Sequence, residues 1–195
     1  NTGRFGRVLI GLGLMLMALK LVGTSTQVLT QAPAVRALLE SLGSDLLLEI
    51  TVGAFLAVVS YSSLAVVLLT ATLVSTSVIA SDVALGLVLG ANLGSGLLAV
   101  ITTARLAIEV RRVPLGNLMF KVLGVAIAAP FVSLWLRHAR PYLGEPASVV
   151  VMFHLAFNLL VGIAFIGWTQ VVAGWVEKLL PKPQKSSLDS RLPHL

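Results

Sequence analysis

The sequence contains no cysteine and few charged residues. Only 11% of its 195 residues are charged, whereas a soluble domain carries roughly 25%. The lack of cysteine excludes structural disulfides and thiolate metal sites. The net charge is +6, but the basic residues stand in short groups without interleaved aromatic residues, which does not fit a nucleic-acid-binding surface. The composition therefore excludes an ordinary soluble domain.

Apolar residues dominate instead: the chain is 57% hydrophobic, with a mean hydropathy of +0.97. The blocks that predict membrane spans are Val8–Gly23, Val83–Ala104, Asn117–Leu136 and Ser148–Val172. Basic and polar loops are predicted over Arg105–Pro114 and Arg137–Pro146. We predict an all-α polytopic integral membrane protein. Its transmembrane part would be residues 1–177, followed by a disordered cytoplasmic tail over 178–195.

The longest apolar stretch, Leu46–Ala80, is interrupted at its middle by Ser60-Tyr61-Ser62-Ser63. A single helix of this length would overshoot the hydrocarbon core, which needs about 20 residues, and would bury hydroxyls at its centre. Two short helices meeting at a polar turn account for both facts. We therefore predict a re-entrant hairpin over 46–80, whose turn is offered to a solute.

The distribution of Lys and Arg supports this topology. If the hairpin enters and leaves by one face, one side of the membrane carries nine basic residues and the other carries three. The nine are Arg4, Arg7, Arg105, Arg111, Arg112, Lys178, Lys182, Lys185 and Arg191; the three are Arg36, Arg137 and Arg140. The bias predicts an inner-membrane protein with both chain ends in the cytoplasm.

Three groups of polar residues are candidates for binding. The hydroxyls of Ser60, Ser62 and Ser63 can hold phosphate oxygens or a hard cation, and the next helix would present free N–H groups to an anion; packing between helices is the open alternative. Gly90–Gly96 predicts a broken helix in which Asn92 helps to hold an ion, or else close packing through Gly90 and Gly94.

The third group is His154 and Asn158, which share one helix face because they are four residues apart. We expect an interhelical hydrogen bond there rather than direct contact with solute. Lys121 is expected to extend to the cytoplasmic interface from near its helix start. Glu49 is expected at the interface near the hairpin entrance, and the open alternative is that it attracts a cation. No Walker-type loop, metal-spaced cluster or nucleophile–base set stands out, so we expect neither an enzyme nor a cofactor beyond a coupling ion.

Taken in order, these motifs resemble the sodium/phosphate cotransporter family. Gly90-Ala91-Asn92-Leu93-Gly94-Ser95 is similar to that family's Gly-Ala-Asn-Ile-Gly-Thr segment, and His154-Leu155-Ala156-Phe157-Asn158 matches its His-x-x-Phe-Asn helix. Phe120-Lys121 is a degenerate copy of the latter, with Lys in place of Asn. Ser60-Tyr61-Ser62-Ser63-Leu64-Ala65 stands where the family has a Gln-Ser-Ser-Ser-Ala-Thr turn, and departs from it at Ser60, Tyr61 and Ala65.

The resemblance implies sodium-dependent transport of inorganic phosphate, by symport or export. Together with the hydroxyl chemistry, it assigns phosphate to Ser60, Ser62, Ser63 and Ser95 and sodium to Asn92 and Ser63, with His154 and Asn158 in support. Such transporters build their site from two inverted repeats. We expect this chain to be the second repeat, completed by a missing N-terminal repeat or by a second copy. The alternatives are a carrier for another oxyanion or a dicarboxylate, and a non-transporting subunit that anchors a regulatory partner.

Overall fold

A computed structural model describes residues 2–29, 32–33, 41–43 and 45–182, and among them all regular structure is helical. The α-helices are α1 (Thr2–Leu29), α2 (Leu46–Val59), α3 (Ser63–Ser75), α4 (Ser81–Thr103), α5 (Ile108–Ala128), α6 (Val132–Leu143), α7 (Pro146–Phe165) and α8 (Thr169–Leu179). Short 3-10 turns join α5 to α6 and α7 to α8.

The helices confirm the predicted all-α membrane class. Ser81–Thr103, Ile108–Leu143 and Pro146–Leu179 are each long and apolar enough to cross a membrane, and they overlap the last three predicted spans. The predicted first span lies within α1. Most of the described side chains of α1 are exposed.

The predicted hairpin is formed by α2 and α3. The two helices contain 14 and 13 residues, so each is about 20 Å long and shorter than the ~30 Å hydrocarbon core. Asp45 caps the start of α2, where its Oδ1 accepts from Leu47 N at 2.8 Å and Leu48 N at 3.3 Å. The chain reverses at Tyr61, whose φ is 54°.

The central helix is α4, whose residues from Val83 to Asn92 are all buried. It runs from Ser81 to Thr103 without interruption, so the predicted break at Gly90–Gly96 is wrong. A Cβ on Gly90 would overlap the carbonyl of Ile50 and lie 2.8 Å from Ala54 N. The glycines allow α2 to approach closely rather than breaking α4, which confirms the alternative of close packing through Gly90 and Gly94.

The order of the contacts shows that α2 lies parallel to α4. Positions pair as Glu49 with Gly86, Ala54 with Gly90, and Ala57 with Gly94, increasing along both helices. Because the turn begins three residues after Ala57, it lies roughly one helical turn past the level of Gly94. The hairpin therefore reaches past the midpoint of α4 but stops short of its end at Thr103.

The predicted loops are much shorter than expected. Arg111 and Arg112 lie inside α5. Arg112 donates to Leu180 O at 3.2 and 2.8 Å and to Glu177 at 3.1 Å. These bonds hold the start of α5 against the end of α8. Likewise, Arg137 and Arg140 lie within α6. The predictions of loops over 105–114 and 137–146 are wrong in extent.

The predicted groups of basic residues in α5, α6 and α8 lie at the two ends of the bundle, whereas Arg36 lies outside the described residues. Ser81 and Asp82, at the start of α4, line one cavity with Arg137 and Arg140. At the opposite end, Arg112 contacts α8, and Lys182 pairs with Glu109 at 3.5 Å. Lys178, the first residue of the predicted tail, is in the last turn of α8. Residues 183–195 of that tail lie outside the described residues.

Candidate functional site

The serine turn joins the two hairpin helices. Ser62 is the N-cap of α3, and its Oγ accepts from Ala65 N at 3.1 Å. Ser60 Oγ donates to Ser62 O at 3.1 Å. The cap uses a lone pair of Ser62 and leaves its O–H free to donate, whereas the O–H of Ser60 is already donated. The N–H groups of Ser63 and Leu64 belong to the first helical turn, which has no intrahelical partner.

A second polar group lies on the other side of α4, at half its length. We call Asn92, Ser95, Lys121, His154 and Asn158 the polar cluster. Asn158 Nδ2 donates to Asn92 Oδ1 at 3.0 Å, which joins α7 to α4. Ser95 Oγ donates to Asn92 O at 2.8 Å and accepts from Lys121 Nζ, which joins α5 to α4. The cluster thus links three helices through side chains that face one another.

His154 lies beside two amide groups of the cluster. Its Nδ1 lies 3.3 Å from Asn92 Nδ2 and 3.4 Å from Asn158 Nδ2, and both of these amide nitrogens are donors. In the tautomer that accepts these bonds at Nδ1, the ring proton is on Nε2. The interhelical hydrogen bond expected for His154 and Asn158 is present, with Asn92 as the partner on α4.

Lys121 differs from its prediction. It was expected near a helix start, from which it would extend to the interface. Because α5 begins at Ile108, Lys121 is 13 residues into the helix, about 20 Å along its axis. Its side chain is half-buried, and its Cδ lies 3.4 Å from where a Cβ on Gly96 would be. Gly96 thus leaves room for the lysine stem to reach Ser95.

A signal for Lys121 was present in the sequence. It follows Phe120 as Asn158 follows Phe157, and both residues donate to α4, Lys121 to Ser95 and Asn158 to Asn92. The two similar segments therefore place equivalent residues against the same stretch of α4, one from α5 and the other from α7. Glu49, expected at the hairpin entrance, is near the start of α2 and is 5% exposed against Gly86.

The predicted site residues thus form two groups. The hydrogen bonds of Ser60 and Ser62 stay within the turn, while Asn92, Ser95, His154 and Asn158 belong to the polar cluster. Gly90 and Asn92 differ by two positions, or about 200° around the helix axis, so the hairpin and the cluster contact opposite faces of α4. The two groups lie at similar depth and are separated by the body of α4.

A hairpin too short to cross the bilayer, packed on an apolar helix that carries polar groups at its centre, defines an all-α membrane protein with the features of a transporter. Residues 14–167 match the Na+/Pi-cotransporter family. The chain belongs to this family.

Curated relatives share a single name. "Putative inorganic phosphate export protein YjbB" of Escherichia coli K12 is 42% identical over 100% of this chain and 36% of its own length. The protein of the same name from Salmonella typhimurium LT2 is 42% identical over 92% of this chain and 33% of its own length. The chain thus spans about a third of the length of these relatives. No solved structure matches the chain.

Proposed function

We propose that the chain is part of a transporter that moves inorganic phosphate across the cell's inner membrane, coupled to sodium. The observation that carries the proposal is the serine-capped turn, held past the midpoint of α4 by a hairpin too short to span. Membership of the Na+/Pi-cotransporter family and relatives named for phosphate export support the same solute. This role is transport rather than catalysis.

In this proposal, phosphate binds at the hairpin turn. The free O–H of Ser62 and the first N–H groups of α3 are donors, and the positive end of the α3 dipole favours an anion. Ser60 has lone pairs to offer but has already donated its proton. Ser95 has likewise donated its proton to Asn92 O, so its predicted contact with phosphate requires a rotation of the hydroxyl.

Sodium at Ser63 and Asn92 stays a prediction. Asn92 is 1% exposed and its Oδ1 already accepts from Asn158, which leaves one lone pair for a cation. The proposal includes a second repeat, supplied by the rest of a longer protein or by a second copy, because such transporters bind solute between inverted repeats. The basic residues at one end of the bundle support placing that end in the cytoplasm.

The test is ³²P-phosphate flux in proteoliposomes of the full-length protein, with and without a sodium gradient. We expect Ser62→Ala combined with Ser63→Ala to lower the flux at least tenfold. Ser75→Ala, which removes an exposed hydroxyl at the far end of α3, is the matched control and is expected to leave flux unchanged. Unchanged flux in the double variant would exclude the turn as the phosphate site, and flux indifferent to sodium would exclude the coupling.

Sulfate, arsenate and succinate belong in the same assay. Inhibition by phosphate and arsenate alone supports a phosphate carrier, whereas inhibition by succinate or sulfate at similar concentrations indicates a broader anion carrier. A protein that carries none of these solutes in any orientation would instead be the anchoring subunit considered above.

A further inference from the structure

The polar cluster contains donors that the described residues do not engage. Asn92 Oδ1 accepts from Asn158, Ser95 Oγ accepts from Lys121, and His154 Nδ1 faces two amide nitrogens. An ammonium group has three N–H donors, and the described residues engage one of those of Lys121, through Ser95. The Nε2–H of His154 makes no hydrogen bond within the described part of the chain. These unengaged donors suit an anion.

The charge of the cluster points the same way. The ion pairs among residues 2–29, 32–33, 41–43 and 45–182 join Arg112 to Glu177 and Lys182 to Glu109, and neither includes Lys121. An ammonium placed among apolar helices without a carboxylate is costly and usually marks a solute or ion pathway. A bound oxyanion would supply the missing negative charge.

The cluster is also open to a ligand. Lys121, Ser95 and His154 are half-buried, and Asn158 is exposed. Near Asn158 on α7, Leu155 and Leu159 are apolar and are 58% and 60% exposed. Unpaired donors in contact with lipid are strongly disfavoured. This patch therefore faces water or another protein surface rather than hydrocarbon.

We propose that the polar cluster is an anion subsite, with the Lys121 ammonium as its fixed positive charge and His154 Nε2–H as a second donor. The inference rests on the proposed function for its ligand, inorganic phosphate. It adds a second position for phosphate, across α4 from the serine turn and at similar depth. In this subsite the ammonium group of Lys121 neutralises negative charge of the bound phosphate, a role that a sodium ion would otherwise have.

The first test measures equilibrium binding of ³²P-phosphate to the purified full-length protein. We expect two phosphate-binding positions in the wild type, and Lys121→Gln to raise the Kd of one of them at least tenfold at low sodium. Lys121→Arg, which keeps the charge, is expected to hold that Kd within about threefold of the wild type. Lys178→Gln, which removes an exposed lysine in the last turn of α8, is expected to change nothing. Rising sodium should partly restore binding to Lys121→Gln, a rescue that a merely structural lysine would not show.

A second test needs no variant and so does not depend on folding. The rate at which an amine-reactive reagent modifies Lys121 is followed by mass spectrometry in phosphate and in chloride, with Lys178 as the internal reference. We expect phosphate to slow modification of Lys121 at least fivefold and to leave Lys178 unaffected. Equal rates in the two salts, or an unchanged Kd in Lys121→Gln, would overturn the subsite.

These measurements distinguish failure of the proposed subsite from failure of the proposed transport function. Phosphate binding that depends on Lys121, in a protein without phosphate flux, supports the subsite and excludes the transport function. Sodium-driven flux with a Kd indifferent to Lys121 supports the function and excludes the subsite. A wild-type protein that does not bind phosphate at all excludes the subsite as well.

Discussion

Two faces of α4 contact other helices in different ways. One face meets the hairpin, and the other meets α5 and α7. Toward α2, Gly86, Gly90 and Gly94 let two backbones approach closely. Toward α5 and α7, Asn92 and Ser95 bond side chains of the partner helices. In a membrane, helices associate through both kinds of contact, since lipid leaves little hydrophobic drive between them.

The two faces of α4 have different roles: one holds the hairpin rigidly, and the other carries polar groups that can bind a solute. At Gly90 and Gly94 the glycine face meets backbone atoms of α2 and the methyl group of Ala57, so it fixes the hairpin against α4 at one depth. The polar face carries exchangeable hydrogen bonds and a charge, so it can respond to a solute. The glycine face of α4 can therefore hold the hairpin turn at a fixed position, while its polar face contributes Asn92 and Ser95 to the polar cluster.

The largest effect is expected when the glycine face is broken. Gly90→Ala places a methyl group against the backbone of Ile50 and Ala54, which cannot move aside as a side chain could. We expect a loss of about 3 kcal/mol in the free energy of unfolding, at the upper end for overpacked cores. Thermal unfolding of the purified protein measures it.

Gly162→Ala is the matched control for this change. It lies in α7 with nothing within 4 Å of its added methyl group. Alanine is the better helix former by roughly 1 kcal/mol, so we expect unchanged or slightly raised stability. If both variants unfold alike, close packing of α2 on α4 is not what holds the hairpin.

A smaller effect is expected from the centre of the polar face. Asn92→Ala leaves the Asn158 amide and His154 Nδ1 without their partner on α4. Loss of such buried hydrogen bonds costs about 1–2 kcal/mol. Asn117→Ala, at an exposed position of α5, is the control and is expected to be neutral in the same unfolding experiment.

The smallest effect is expected from Ser95→Ala. Ser95 is half-buried and makes one hydrogen bond to another helix, from Lys121. Single interhelical hydrogen bonds in membranes average about 0.6 kcal/mol. Thr102→Ala, which removes an exposed hydroxyl bonded to its own helix at 2.8 Å, is the comparison. A Ser95 effect as large as that of Asn92 would mean that Lys121 is held mainly for structure.

Much of this architecture could be predicted from the sequence. The hairpin was predictable because Ser60–Ser63 interrupts an apolar run at the one place where a continuous helix would bury hydroxyls. The unbroken course of α4 was harder to predict, since glycines that weaken an isolated helix are also those that allow a second helix to approach. Which role they play depends on α2, a partner that local sequence does not reveal.

Lys121 was misplaced for a related reason. Arg111, Arg112 and Pro114 resemble a loop when considered locally, but they lie in the first two turns of α5, where Arg112 contacts the end of α8. The helix therefore starts earlier, and Lys121 moves from the interface to the middle of the span. Lys121 lies nine positions past Arg112 and well inside the helix.

The most direct measurement is the water accessibility of the hairpin turn. Because this chain contains no cysteine, Ser62→Cys and Ile163→Cys each give it a single thiol, and any cysteine elsewhere in the full-length protein is replaced by serine. Ile163 is 63% exposed at the middle of the Pro146–Leu179 stretch, where it would face lipid. We expect a membrane-impermeant thiol reagent to label position 62, at a rate that phosphate lowers, and not to label position 163. Position 62 unlabelled under every condition would contradict it.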